Sequence, residues 1–366
     1  MSHYRKIKTA QRIRKIKQWS GFLDKYLGVG IILAVLTGIQ LSHKFNFGNH
    51  LAKNLLLNHR HLPLMIGLII MIYPSLARIN YKKIGYIFRN LKILFLSLLQ
   101  NWIIGPKVMF ILAAVFLSGY PELMVGLIIL GLARCISMVI VWDEIAKGDR
   151  EYCAALVVFN SLFQIIALPF YAYFFVTWLP KTLGFFEEYI SISVKEVALN
   201  LFIYLGIPAI CGFITQTVFL KIKNERWYDK VLIPMITPIT PLTLIITVFF
   251  IFLAKGQTFS LLPLTVVKIA LPMILYFLIM FFSSFYLAYK TKVNYKQCIT
   301  LSLTSASNNF ELAIAICISL FGTESEEVLA VLIGSLIEIP VLITLIRIAL
   351  MLKPKLFPKN QASVNK

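Results

Sequence analysis

The sequence predicts an all-α integral membrane protein, and three features of the chain support this expectation. Of its 366 residues, 59% are hydrophobic and 14% are charged, and the mean hydropathy is +0.81. The apolar residues form continuous runs long enough to cross a bilayer. A short polar stretch interrupts one such run in each half, at 131–137 and at 305–311. Paired interruptions of this kind are typical of transporters, whose sites are built from broken helices near the bilayer midplane.

Ten transmembrane helices are predicted, one for each apolar run of sufficient length. Their approximate ranges are 26–43, 62–80, 91–118, 121–142, 152–179, 197–220, 231–254, 263–289, 297–321 and 327–351.

The positions of the basic residues predict the orientation. Lysine and arginine are concentrated in the N-terminal tail, in the loops near 82, 224 and 293, and in the C-terminal tail. Because cytoplasmic segments carry the excess of these residues, we expect both tails, 1–25 and 352–366, to be cytoplasmic in a multi-pass plasma-membrane protein. The net charge of +20 therefore does not indicate nucleic-acid binding.

A weak internal repeat divides the predicted helices into two sets of five. The string SLFQ at 161–164 resembles SLIE at 335–338, and the same register aligns Cys135 with Asn309. Two halves with an odd number of spans each must enter the membrane from opposite sides. We therefore expect inverted repeats over 26–179 and 197–351.

The two polar interruptions carry the candidate functional residues. Arg134 and Cys135 lie in the first, and a charge at that depth is costly and usually functional. Glu311 lies in the second, and Glu338 is a further carboxylate in the tenth predicted span. A packing role is the alternative for Cys135, and a static pairing with Arg134 is the alternative for Glu311. Amides and hydroxyls that can cap broken helices or bind a hydroxylated solute accompany them: Ser305, Ser307, Asn308 and Asn309.

Other functional classes find little support in the sequence. The five cysteines are scattered without a CxxC pair, which argues against a disulfide framework and a zinc site. The histidines at 43, 50, 59 and 61 have no carboxylate or cysteine beside them, so a solvated loop is the better interpretation. No nucleophile or nucleotide motif suggests an enzyme, and no cofactor or metal is expected.

Four strings resemble the arsenical-resistance efflux transporters, the arsenite/antimonite permeases of the bile acid/sodium symporter superfamily. They are NWIIGP at 101–106, the stretch beginning GLARC at 131, YLGIP at 204–208 and SASNNFELAIA at 305–315. The resemblance implies ten helices in inverted repeats, the fourth and ninth broken and crossing at the substrate site. It also implies export of trivalent arsenic or antimony coupled to inward proton movement.

The resemblance implies specific roles for two residues. Cys135, the cysteine of GLARC, would handle the substrate, because a thiolate is a soft ligand for trivalent arsenic and antimony. Glu311, the glutamate of NNFEL, would be the essential carboxylate that exchanges a proton. From its position in an apolar span, Glu338 is a second candidate, with structural hydrogen bonding as its alternative role. Arg134 could assist the thiol only if the helix is unwound there.

Three positions depart from the strings common in the family. Ser75 and Ser335 stand where proline is usual, which should relax local bends, and Asp143 adds a charge at the cytoplasmic mouth. A sodium-coupled importer of an organic anion on the same fold remains the alternative function. That activity would not depend on a thiol.

Overall fold

A computed structural model of the chain describes residues 29–43, 62–78, 85, 88, 90–136, 138–185, 192–259, 263–322 and 325–357. Both tails beyond this range lie outside the described residues, as do Ser137, the histidines at 50, 59 and 61, and most of the loops near 50, 82 and 187.

The described residues form helices. In chain order they are α1 Val29–His43, α2 Leu62–Ala77, α3 Leu91–Leu117, α4 Pro121–Leu132, α5 Met138–Ile145, α6 Arg150–Leu183, α7 Val194–Ile222, the short turns Glu225–Trp227, Tyr228–Leu232 and Ile233–Ile236, α8 Ile239–Phe259, α9 Pro263–Lys290, α10 Tyr295–Ala306, α11 Phe310–Phe321 and α12 Glu326–Leu356.

The predicted fold class is confirmed as a helical protein of many membrane spans. Within the described ranges, six helical stretches are long and apolar enough to cross a bilayer, and four shorter apolar helices accompany them. Large apolar side chains such as Val115, Ile166 and Phe170 are more than half exposed, as expected for a surface that faces lipid. The count of ten spans stays a prediction.

Prolines explain where four helices widen into a π-turn. The π-turns Gln100–Ile104, Tyr173–Trp178, Phe202–Gly206 and Tyr228–Leu232 each end two residues before a proline. A proline lacks the N–H of the regular ladder, and its ring collides with the carbonyl four residues earlier, which here lies inside the π-turn. The wider turn accommodates that carbonyl, so the helices continue through their prolines.

The chain divides into two compact units, each built from both halves of the sequence. One comprises residues 1–79 and 201–263, and the other comprises 80–200 and 264–366. In the first, the Tyr228 hydroxyl donates to the Ala77 carbonyl oxygen at 2.6 Å, and Gly212 packs against the Ala77 backbone. In the second, α12 packs along α4, and a Cβ at Gly126 would lie 2.5 Å from the Glu327 carbonyl oxygen. Every residue of the predicted site belongs to this second unit.

The two predicted interruptions are breaks in helical structure. Between α4 and α5 the backbone is non-helical over the described residues 133–136, and between α10 and α11 it is non-helical over 307–309. The fourth and ninth predicted spans are therefore each split into two half-helices. By contrast, Ser75 and Ser335 lie within the continuous helices α2 and α12.

Candidate functional site

The first break begins where α4 ends, at Leu132. Ala133 has extended backbone angles, φ −79° and ψ 113°, so the carbonyls of the last turn lose their helical partners. Gly131 lies two residues before Ala133, and a Cβ there would lie 2.4 Å from the Met109 side chain. The glycine is needed because α3 packs directly against the end of α4.

The second break is encoded by its own asparagines. Ser307 ends α10 with φ −83° and ψ 139°. Asn309 is the N-cap of α11, and its side-chain oxygen accepts the Leu312 N–H at 3.0 Å. The capping amide satisfies one of the free donors at the start of the half-helix.

The two breaks cross each other through backbone contacts. Arg134 and Asn308 form an antiparallel bridge, and the Asn309 N–H donates to the Ala133 carbonyl oxygen at 2.9 Å. Extended backbone without a helical ladder must find its partners elsewhere when it is buried. Each break therefore provides some of the backbone hydrogen-bond partners that the other requires.

Two further backbone N–H groups donate to side chains from the fifth and tenth predicted spans. The Arg134 N–H donates to Gln164 Oε1 at 2.6 Å, and the Asn308 N–H donates to Glu338 Oε1 at 3.2 Å. The register that aligns the strings at 161–164 and 335–338 also relates Arg134 to Asn308 and Gln164 to Glu338. The same contact therefore occurs twice, once with an amide and once with a carboxyl group.

The Arg134 side chain is buried, with 1% of its surface exposed, and it is held by neutral oxygens. One Nη donates to the Tyr276 hydroxyl at 3.1 Å and lies 3.5 Å from both Asn101 Oδ1 and the Ser305 carbonyl oxygen. The other donates to the Gly131 carbonyl oxygen. A Cβ at Gly105 would lie 3.1–3.2 Å from both Nη atoms, so the glycine of NWIIGP gives the guanidinium its space.

Cys135 lies in the first break with 6% of its surface exposed. The Ser307 side chain, the Val139 backbone and the carboxyl groups of Glu338 and Glu311 all lie close enough to interact with its sulfur. Arg134 and Cys135 thus contact different groups, although they are adjacent in sequence. The break places the thiol beside both predicted carboxylates.

Both carboxylates are buried. Glu311 lies in the first turn of α11 with 4% of its surface exposed. Glu338 lies within α12 with 3% exposed, and its Oε1 also accepts the Ser307 hydroxyl at 2.8 Å. The negative charge of an acidic residue is favoured near a helix N-terminus, which is the position of Glu311.

Several buried polar atoms around the crossing have no hydrogen-bond partner within the described part of the chain. They are Arg134 Nε, Gln164 Nε2, Ser305 Oγ, Asn308 Nδ2 and Glu338 Oε2. Buried polar groups are ordinarily paired, so a cluster of unpaired ones calls for an explanation. Three of them are donors, one is a hydroxyl and one is a carboxyl oxygen, a set that suits a small polar solute.

Sequence reasoning missed three residues that hold the crossing together. Tyr276 is a single aromatic residue in an apolar run, and no local signal predicts its contact with Arg134. Asn101 stands in the NWIIGP string, where an amide within an apolar run is the signal that could have found it. Gln164 was related to Glu338 by the repeat, yet its contact with the Arg134 N–H depends on the tertiary fold.

Two broken helices that cross over a buried arginine, a thiol and two carboxylates, in a protein of many apolar helices, define a membrane transporter. Comparison with known proteins agrees. The model of the sodium bile acid symporter family matches residues 65–261. The chain belongs to this family and, within it, to the arsenical-resistance transporters.

Similarity to individual relatives supports the assignment to the arsenical-resistance transporters within this family. The chain is 39% identical to the arsenical-resistance protein Acr3 of Corynebacterium glutamicum over 93% of its length and 92% of the relative. It is 26% identical to the arsenical-resistance protein Acr3 of Alkaliphilus metalliredigens, over 90% of this chain and 92% of that one. An uncharacterized transporter of Synechocystis is 28% identical over 89% of this chain and 88% of its own. The resemblance inferred from the sequence is confirmed.

Proposed function

We propose that this protein exports trivalent arsenic or antimony from the cytoplasm in exchange for protons, with Cys135 binding the metalloid and Glu311 carrying the proton. The names of two relatives support the substrate class, since both are arsenical-resistance proteins. The observation that carries the proposal is the position of Cys135, a buried thiol in unwound backbone where two broken helices cross.

The chemistry of a single thiol suits transport of As(OH)₃. The sulfur forms one bond to arsenic, one hydroxide leaves, and the thiol proton joins that hydroxide to make water. Hydrolysis reverses the reaction and releases As(OH)₃. Three sulfur ligands would hold the metalloid too firmly for turnover, because a transport site must also let its substrate leave.

The remaining hydroxyls of the bound metalloid need hydrogen-bond partners. Arg134 Nε, Asn308 Nδ2 and Ser305 Oγ are buried polar atoms that have no partner in the described ranges. We assign these three residues to the metalloid site, with Asn309 fixing the start of α11 beside them. A solute that satisfies these atoms removes the cost of leaving them unpaired.

Glu311 is proposed as the group that alternates between protonated and ionised states during transport. It lies on the first turn of a half-helix whose N-terminus is part of the crossing, so a change in the crossing changes its surroundings. Glu338 is the second candidate, since it contacts the second break directly. A buried carboxyl group whose environment alternates can bind a proton on one side and release it on the other.

The proposal includes a plasma-membrane location with both termini in the cytoplasm, as the distribution of lysine and arginine predicts. Membrane-impermeant cysteine labelling tests it, with single cysteines placed in the loops near 147, 224 and 293 and near 187. The first three should be reached only from the cytoplasmic side, and the last only from outside. Labelling of the loop near 224 from outside would contradict the orientation.

The decisive experiment measures As(III) and Sb(III) accumulation in everted membrane vesicles from cells that lack their own metalloid exporter. A vesicle interior that is more acidic than the medium should drive accumulation, and a protonophore should abolish it. A sodium gradient should have no effect. Accumulation of a bile-acid-like organic anion on a sodium gradient, without metalloid transport, would instead support the sodium-coupled importer suggested by the wider family's name.

A further inference from the structure

A further buried carboxyl group, besides Glu311 and Glu338, lies near the end of α5. Asp143 has no exposed surface, and the chain between α5 and α6 turns back over it. The Gly148 N–H donates to the Asp143 carbonyl oxygen at 2.8 Å, and a Cβ at Gly148 would lie 1.9 Å from Asp143 Oδ1. The carboxyl group therefore packs directly against the glycine backbone.

Thr300 of α10 connects this carboxyl group to the first half of the ninth predicted span. Its Oγ1 lies 2.6 Å from Asp143 Oδ1 and 2.7 Å from the Lys296 carbonyl oxygen, and it accepts the Asp149 N–H at 2.9 Å. The Tyr295 hydroxyl donates to the Ala146 carbonyl oxygen at 3.1 Å in the same region. The segment 146–149 is thus fastened to α10.

Counting hydrogens identifies the protonation state that fits this geometry. A threonine hydroxyl has one hydrogen, yet Thr300 Oγ1 lies at hydrogen-bonding distance from two acceptor oxygens. Both contacts are satisfied if Asp143 carries a proton and donates it to Thr300, while Thr300 donates to the Lys296 carbonyl oxygen. An ionised Asp143 would accept the only hydroxyl hydrogen of Thr300, so that hydroxyl could no longer donate to the Lys296 carbonyl oxygen.

The other carboxyl oxygen points to the same state. Asp143 Oδ2 is buried and has no donor within the described residues. A buried carboxylate without donors is costly, whereas a neutral acid tolerates an unpaired carbonyl oxygen far better. No lysine or arginine among the described residues forms an ion pair with it, and the nearby Arg150 pairs with Glu144 at 3.6 Å.

We propose that Asp143 is a proton-binding site in its own right, held as a neutral carboxylic acid, and that its proton fastens the segment 146–149 to α10. Loss of the proton leaves a buried charge between the segment 146–149 and α10 with Thr300 as its one donor, and such a charge is costly. Ionisation therefore loosens the fastening. Its part in transport rests on the proposed function, because there it gives the carrier a second proton site besides Glu311.

The electrostatic surroundings agree with this assignment. Asp143 follows the predicted span 121–142, and burial raises the pKa of its carboxyl group from 3.8 to about 7. The Thr300 hydrogen bond opposes this rise in pKa, and the charges of Asp149 and Glu144 add to it. Among the described residues, Cys153 of α6 and Tyr295 of α10 also interact with Asp143. Both protonation states of Asp143 are therefore accessible near neutral pH.

The test compares the purified protein with its Asp143→Asn variant, whose amide can donate to Thr300 and cannot titrate. Infrared difference spectra should show a carboxylic-acid C=O band that disappears as the pH rises through about 7 and is absent from the variant. The melting temperature of the parent relative to the variant should fall between about pH 4 and pH 7, because over that range Asp143 is protonated in the native state and ionised in the unfolded state.

Two substitutions at Thr300 keep the proposal testable if the asparagine variant folds poorly. Thr300→Val removes the donor to the ionised form, so the infrared band should disappear at a higher pH. Thr300→Ser retains the hydroxyl and should leave the midpoint unchanged. Identical titrations in the parent, Asp143→Asn and Thr300→Val proteins would overturn the assignment.

The transport role has its own readout. In vesicles that carry Asp143→Asn, metalloid accumulation should no longer change as the pH passes through about 7. A pH profile identical to that of the parent would refute a role in coupling. The infrared and melting experiments contain no metalloid. They therefore test the proton site even if the vesicle experiment contradicts metalloid export.

Discussion

The two breaks make the same backbone contact with different chemistry. In the first, the Arg134 N–H is bound by the neutral amide of Gln164, and in the second, the Asn308 N–H is bound by the carboxyl group of Glu338. The first contains a cation and a thiol, while the second contains amides and leads into a helix that carries Glu311 in its first turn. The thiol proposed to bind the metalloid thus lies in the first break, and Glu311, the proposed proton carrier, lies just after the second.

The breaks also differ in the contacts that their non-helical backbone makes. Asn309 caps α11 from within the second break, so the local sequence satisfies a free donor. The first break has no comparable cap among its described residues and depends on Gln164 of α6 and on the Asn309 N–H. The described contacts of the first break are thus tertiary, whereas the second break also has a cap that is encoded locally.

The largest expected effect comes from the thiol of the first break. Cys135→Ser keeps the size of the side chain and removes its soft ligand atom, so As(III) and Sb(III) efflux should fall to the level of cells without the protein. Resistance in growth assays and accumulation in everted vesicles measure the effect.

Cys317→Ser is the matched control, because Cys317 is also buried and lies within the regular helix α11. Its efflux should remain close to that of the parent. Full resistance in cells that carry Cys135→Ser, at equal protein abundance, would exclude a role for the thiol.

The next effect tests the second break. Glu311→Gln fixes a neutral side chain, so metalloid binding should persist while accumulation stops responding to a pH gradient. Glu311→Asp retains a titrating group and should slow transport without uncoupling it. Flux in reconstituted vesicles and a binding assay on the same preparations separate these outcomes. If Glu311→Gln still transports uphill on a pH gradient, the proton is carried elsewhere, and Glu338→Gln becomes the next variant.

The sequence predicted the position of both breaks and most of their side chains, because charged and amide residues stand out within apolar runs. It could not predict the partners of Arg134. The guanidinium donates to Tyr276 and to backbone carbonyl oxygens from separate helices. Such contacts depend on helix packing, which leaves no periodic signal. The role of Gly105 is hidden for the same reason, since it concerns only space for the guanidinium.

A smaller effect tests how far the first break depends on its neighbours. Gln164→Leu leaves the buried Arg134 N–H without an acceptor and should lower the free energy of unfolding by about 1–3 kcal/mol. Ser161→Ala is the control one turn earlier on α6, because the Ser161 hydroxyl donates to a carbonyl oxygen of its own helix. It should cost less than about 1 kcal/mol. Denaturation in mixed micelles measures both, and equal losses would show that the break does not rely on Gln164.

The smallest effect concerns the local cap of the second break, and the chain supplies its own comparison. Asn309 and Asn294 both act as N-caps, accepting the N–H of Leu312 and of Gln297 at 3.0 and 2.9 Å, but Asn309 is buried and Asn294 is exposed. Removing the cap by Asn294→Ala should cost about 0.5–1 kcal/mol, because water can reach the freed donor. Asn309→Ala should cost about 1–2 kcal/mol, since the freed N–H stays buried, and Asn309→Ser should recover most of it.

Because the first break receives the Asn309 N–H, hydrogen exchange at residues 133–136 should also accelerate in Asn309→Ala and remain unchanged in Asn294→Ala. Unchanged exchange in both variants would mean that the first break keeps its conformation without the cap of the second.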